Sequence, residues 1–240
     1  MLNVVGRVDL AAATGATPWH RASAIAKLLL AALLVLLAVF TRSLPLLLAL
    51  HLSAWALALS SRLPARIIVA MLGYPLLFAA LFALASWDGN AATPLRVLLR
   101  PTTACLAAAW LVATTPYPDL FAPVSRLLPA RVADGLFITY RALFDLLGRT
   151  ERLLRALRLR GGLRKRPLAT AGETLGTLVL HSFGRSERLY AAMRLRGHSG
   201  RICGCRHYAQ PGPGDRWVAA AGIGLLTLAL LLGGRPGGAP

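Results

Sequence analysis

The chain has 240 residues, of which 56% are hydrophobic and only 15% charged, and its mean hydropathy is +0.60; this excludes an ordinary soluble domain and puts most of the chain in lipid. The formal net charge of +18 would suit nucleic acid, but the cations are clustered, with eighteen of the twenty-seven Lys and Arg in residues 116–216. A basic block lying between apolar runs stays in the cytoplasm, held back by the cost of translocating Arg and by anionic headgroups, so no nucleic-acid partner is expected and membrane lipid is.

Polar and charged residues such as Asp9, Thr14, His20 and Arg21 interrupt the first twenty positions, which therefore lack the pattern of a secretory signal and are expected to remain in the mature protein. The first expected span is Ala24 to Phe40, with Lys27 at its mouth reaching toward the headgroups. After the turn Thr41–Arg42–Ser43 comes Leu44 to Leu59, and then Ile67 to Ala85, which Arg62, Pro64 and Arg66 precede and a polar turn with Trp87 follows. A fourth span, Thr103 to Thr115, is weaker, because Arg96 and Arg100 ahead of it must either reach outward or face protein. Trp217 to Leu232 is the last. Five spans put the N-terminus inside and the C-terminus outside, which leaves Arg96 and Arg100 on the outer side, against the positive-inside rule.

Between the fourth and fifth spans the apolar residues recur at helical spacing. Leu143, Leu146, Leu147, Leu153, Leu154 and Leu157 form one stripe, supported by the i, i+4 pairs Asp145–Arg149 and Glu151–Arg155, and the helix ends at Gly161–Gly162. A second helix is expected from near Gly172 to Gly197, with its own stripe in Leu175, Val179, Phe183, Ser186, Tyr190 and Met193. Such helices either pack on membrane helices or lie on lipid; periodicity does not separate the two.

The two helices end alike. Ala156-Leu157-Arg158-Leu159-Arg160-Gly161 and Ala192-Met193-Arg194-Leu195-Arg196-Gly197 agree at five of six positions, thirty-six residues apart. Gly as a left-handed helix stop and Arg against the negative end of the helix dipole explain part of this. They leave unexplained the matching Ala, Leu and second Arg, which point to a paired docking function compatible with capping.

Here the chain resembles the T components of energy-coupling-factor transporters, most closely the CbiQ-type subunit of cobalt and nickel uptake systems. The likeness extends to Thr114-Thr115-Pro116-Tyr117-Pro118-Asp119-Leu120, to Phe137-Ile138-Thr139-Tyr140-Arg141 and to Arg185-Ser186-Glu187-Arg188 with Tyr190, and residues 20–230 fit the family's layout. Leu159 and Leu195 stand where the family often has Ala, and Cys203-Gly-Cys205-Arg-His207 is foreign to it. The resemblance implies an all-α membrane protein of about five transmembrane helices with two long cytoplasmic amphipathic coupling helices. It divides the chain into a four-span region (1–115), a coupling-helix region (116–216) and a final span with a short tail (217–240). It implies partners as well: a dimer of ABC ATPase subunits, contacted through Ala156, Leu159, Arg160, Gly161, Ala192, Leu195, Arg196 and Gly197, and a metal-specific substrate-capture subunit in the membrane.

No phosphate-binding loop is present, and the two Lys, Lys27 and Lys165, stand in no such setting, so ATP hydrolysis is expected in a partner and no enzyme in this chain. None of the expected spans contains an acid, which disfavours an independent ion-coupled carrier. His51, alone in a span, reads as a hydrogen-bonded packing residue, and Cys203, Cys205 and His207 lack a fourth ligand, so neither cofactor nor metal is expected. Two alternatives to cobalt coupling stay open: a T component for nickel or vitamins, and a membrane-anchored basic protein engaging acidic lipid or nucleic acid.

Overall fold

The computed structural model describes residues 9, 12–15, 17–61, 65–87, 89–124, 128–161, 167–198 and 212–233. Cys203, Cys205 and His207 lie outside the described residues, as do Arg62, Asp88 and the breaker at 162–166. The described elements are all helical, in the order α1 (Ala24–Phe40), α2 (Leu44–Ser60), α3 (Ala65–Ala85), α4 (Ala92–Thr114), α5 (Tyr117–Val124), α6 (Ala130–Leu159), α7 (Pro167–Leu195) and α8 (Asp215–Gly233). They fall into two compact units, one formed by residues 7–123 with 206–240, the other by 1–6 with 124–205.

In the first unit α4 is the central helix, packed against α1, α2 and α3, while α8 closes on α1 and α2. Leu30, Leu34, Leu47, Leu50, Leu106 and Trp110 are buried at the heart of it. The fourth expected span requires correction: it starts not at Thr103 but at Ala92, and the resulting helix runs through Pro101 and both arginines. By length and composition α4 and Asp215–Leu232 of α8 are the two described helices that suffice to cross a bilayer, whereas Ala24–Phe40, Leu44–Ser60 and Met71–Ala85 are shorter apolar helices.

Two side chains explain why charge is tolerated here. Lys27 is 1% exposed and does not reach toward headgroups as its place at the start of α1 suggests. Its Nζ instead donates to the Thr114 carbonyl at the end of α4, 2.9 Å away, with the carboxylates of Asp119 and Asp215 near enough to act on it. Conversely Arg100 on α4 donates through Nη2 to the Thr41 carbonyl just past the end of α1, at 2.7 Å. Each of two antiparallel helices thus supplies a cation to the carbonyl-rich, negative end of the other. Of the two possibilities open to it, Arg100 faces protein.

The loops around α1 are equally tied. Asp215 accepts from the Ser23 amide at 2.6 Å and from the Gly212 amide at 3.1 Å, joining the start of α8 to the start of α1. Gly214 sits where any Cβ would fall 2.1 Å from the Pro18 carbonyl oxygen, so only glycine allows that approach. His20 shares a 2.6 Å hydrogen bond with Thr17, and desolvation, then the nearby Lys27 charge, push its pKa below the ordinary value, so the ring stays neutral at pH 7.

His51 is hydrogen-bonded as expected. Trp55 Nε1 donates to its Nε2 at 3.0 Å, which leaves Nδ1 as the donor to Thr103 Oγ1 at 2.9 Å, and Thr103 in turn donates to the Leu99 carbonyl at 2.7 Å. The chain of bonds ties α2 to α4 and satisfies the imidazole, with the tautomer assigned from its partners.

Candidate docking site on the paired helices

In the second unit α6 and α7 are long because little interrupts them. Helix α7 begins at Pro167, five residues before the expected start near Gly172, since proline suits the first turn, where its missing N–H has no acceptor to lose. Gly172, the expected start, then lies inside the helix.

The two helices cross and are tied there by one carboxylate. Asp145 accepts from Arg149 Nε on its own helix at 2.9 Å, and from Arg185 Nη1 on α7. Desolvation pushes the Asp145 carboxyl upward, but the hydrogen bonds and charges of Arg149 and Arg185 outweigh it and hold the group below the usual carboxylate range. Spacing reveals the Arg149 half of this arrangement and not the Arg185 half, forty residues away. The other expected pair, Glu151–Arg155, forms no ion pair within 4 Å; Arg155 is exposed and Glu151 half-buried.

On either side of the crossing a groove opens. One, of about 400 Å³, brings Leu153 and Ala156 of α6 beside Thr177, Leu178 and His181 of α7. The other, of about 320 Å³, brings Phe137, Ile138 and Ala142 beside Leu189 and Met193. The helices therefore run in opposite senses past the crossing, and their C-terminal ends lie on opposite sides of it. At 1.5 Å per residue Arg160 stands about 22 Å from Asp145 along α6, and Arg196 about 16 Å from Arg185 along α7.

Of the α7 stripe, Met193 alone lies on the side that meets α6. Leu175, Val179, Phe183, Ser186 and Tyr190 are exposed within the chain, while Leu178, Ser182, Arg185, Leu189 and Met193 are half-buried on the side that meets α6. A helical face one step round from the expected one makes the intramolecular contact.

Both helix ends are capped by their glycines. Gly161 has φ +69° and Gly197 φ +74°, the left-handed conformation that L side chains adopt only at a cost. The Gly197 amide donates to the Arg194 carbonyl at 3.0 Å and the His198 amide to the Met193 carbonyl at 3.0 Å, the paired bonds of a Schellman stop. At the first end the Gly161 amide donates to the Arg158 carbonyl at 3.2 Å in the same register.

Capping explains the glycines and leaves the side chains over. Leu159 is 85% exposed and Leu195 90%, more than any other large apolar residue described. Ala156, Arg160, Ala192 and Arg196 are exposed with them. Among the described residues neither Arg160 nor Arg196 has a side-chain hydrogen bond or ion pair, whereas Arg194 lies 6.0 Å from the Tyr190 ring centroid. Each end thus presents a leucine and a guanidinium fork beside a bare backbone turn. This is a combination suited to a small apolar notch rimmed by carboxylates or carbonyls. All eight expected site residues are found at these two ends, four at each, separated by the crossing.

A family model described as CbiQ, cobalt transport protein, matches residues 15–204. No curated protein matches the chain.

Proposed function

The chain belongs to the CbiQ family of cobalt transport proteins, and from that membership we propose that it is the transmembrane coupling subunit of an energy-coupling-factor importer for cobalt. The family is a membrane transport component of systems that work with ATPase and substrate-binding subunits, and is not itself an enzyme. In this reading α1 to α4 and α8 supply five spans, with the N-terminus and the region 116–216 in the cytoplasm and the C-terminus outside. The ends of α6 and α7 dock one each onto the two subunits of an ATPase dimer. ATP-driven closure of that dimer moves both helices, and the motion reorients a metal-specific capture subunit held on the membrane helices.

One observation carries the docking assignment: two matching Leu-Arg-Gly ends stand exposed, with their arginines unpartnered among the described residues, on opposite sides of a tied crossing. A twofold partner needs two copies of one contact, and the separation leaves room for a subunit at each. Stabilising the helix ends alone calls for neither exposed leucine nor unpaired guanidinium.

The test is purification of the tagged chain with its co-expressed ATPase and capture subunits. Arg160→Glu with Arg196→Glu places negative charge in both proposed notches, and loss of the ATPase subunits from the purified complex, with cobalt uptake abolished, is the expected result. Each single variant should retain part of the ATPase. Retention of the full complement by the double variant would overturn the assignment.

A further inference from the structure

We propose that Asp145 is a positioning residue: by clasping Arg149 and Arg185 at once it holds the angle at which α6 and α7 cross, and so the placement of the two docking ends. The inference rests on the coupling reading above and extends it to a residue outside the docking ends.

Acidic side chains are scarce in this chain. The chain has nine acids against twenty-seven Lys and Arg, and the carboxylate of Asp145 sits where α6 and α7 meet. Among the described residues it makes the one ion pair between these helices. The grooves on either side are lined chiefly by Leu153, Ala156 and Leu178 and by Phe137, Ile138, Leu189 and Met193, and the polar side chains among them, Arg141, Arg152, Thr177 and His181, make no ion pair across the two helices among the described residues. Apolar contact of that extent is non-directional and permits rotation about the crossing point. A carboxylate hydrogen-bonded to a guanidinium on each helix does not, because its bonds have preferred directions.

Charge makes the clasp reversible in sign. With Asp145 ionised, two guanidinium groups share one counter-charge. With a neutral residue in its place, Arg149 and Arg185 repel each other across the crossing. The ends lie about 22 Å and 16 Å from it along their helices, so a small rotation there is a displacement of several ångströms at each end. A lever that turns freely at its pivot absorbs the stroke of the ATPases without passing it on, although each end still binds.

The test uses the complete purified complex. Spin labels on cysteines at Arg155 and Ala191, exposed positions near the two ends, report the spread of distances between them in a background lacking the native cysteines. Cobalt(II) uptake per ATP hydrolysed is measured in proteoliposomes. Asp145→Asn and Arg185→Gln should each broaden the distance distribution and lower uptake per ATP about fivefold or more, with the ATPase subunits still co-purifying. Arg149→Gln, which leaves the bond between the helices in place, should do both to a lesser degree than Arg185→Gln. The exchange Asp145→Arg with Arg185→Asp puts one carboxylate on α7 between two α6 arginines and should recover both readouts.

Damage by Arg149→Gln equal to that by Arg185→Gln would reassign Asp145 to simple support of its own helix and overturn the proposal. An unmoved distance distribution in Asp145→Asn, or an exchange variant that recovers nothing, would do the same. The coupling reading fails separately, when ATPase subunits stay bound to the Arg160→Glu, Arg196→Glu chain.

Discussion

Gly161 and Gly197 show how one residue can end an element and expose a site together. Nothing lies within 4 Å of a Cβ built on either, so replacement by alanine meets no clash and its cost is the left-handed backbone alone. Gly161→Ala or Gly197→Ala should lower stability by about 1–2 kcal/mol, read as a fall in the thermal unfolding midpoint in detergent. It should also weaken ATPase retention more than that loss of stability explains, because the last turn re-forms around a different stop and re-aims Arg160 or Arg196. Unchanged retention would mean that the turn geometry is irrelevant to docking. The repeated Ala-x-Arg-Leu-Arg-Gly wording was legible in the sequence, since glycine needs no tertiary contact to stop a helix. Leu159 and Leu195 belong to neither apolar stripe and were expected at the docking ends, but the extent to which they stand clear of their own chain depends on which residues surround them.

Among the elements, α1 and α4 teach the most about charge in apolar helices. Read along the chain, Lys27 is a cation reaching for headgroups, and Arg96 and Arg100 interrupt a span. In the fold Lys27 and Arg100 cap each other's helices, and α4 runs from Ala92 through both arginines at the centre of its unit. Lys27→Met keeps the length of the side chain, but deprives the Thr114 carbonyl of its charged donor and leaves Asp119 and Asp215 without the nearby ammonium. The variant should be less stable by about 1–3 kcal/mol, measured by thermal unfolding in detergent, and a variant as stable as the parent would show the cap to be dispensable. The start of α7 has a similar lesson. Gly172 reads as the start, yet the helix extends back through it to Pro167, whose fixed φ suits a first turn.

For the molecule as a whole, the proposed topology follows from where the arginines lie and is open to direct test. With Cys105, Cys203 and Cys205 replaced by serine, a lone cysteine at Ala191 should react with an impermeant maleimide only after the membrane is opened, and one at Ala91 should react from outside in intact cells. Reaction at Ala191 in intact cells would reverse the orientation and remove the docking ends from the compartment that holds ATP. Helical class, the membrane setting, the family and the twin helix ends were all determined by the sequence alone. Each depends on composition or on residues near one another in the chain, where periodicity and capping act. The Asp145–Arg185 clasp, the reciprocal caps of α1 and α4, the face of α7 that meets α6 and the exposure of the two leucines were decided by the tertiary structure. These depend on which distant residues are brought within a few ångströms, and no local spacing encodes that.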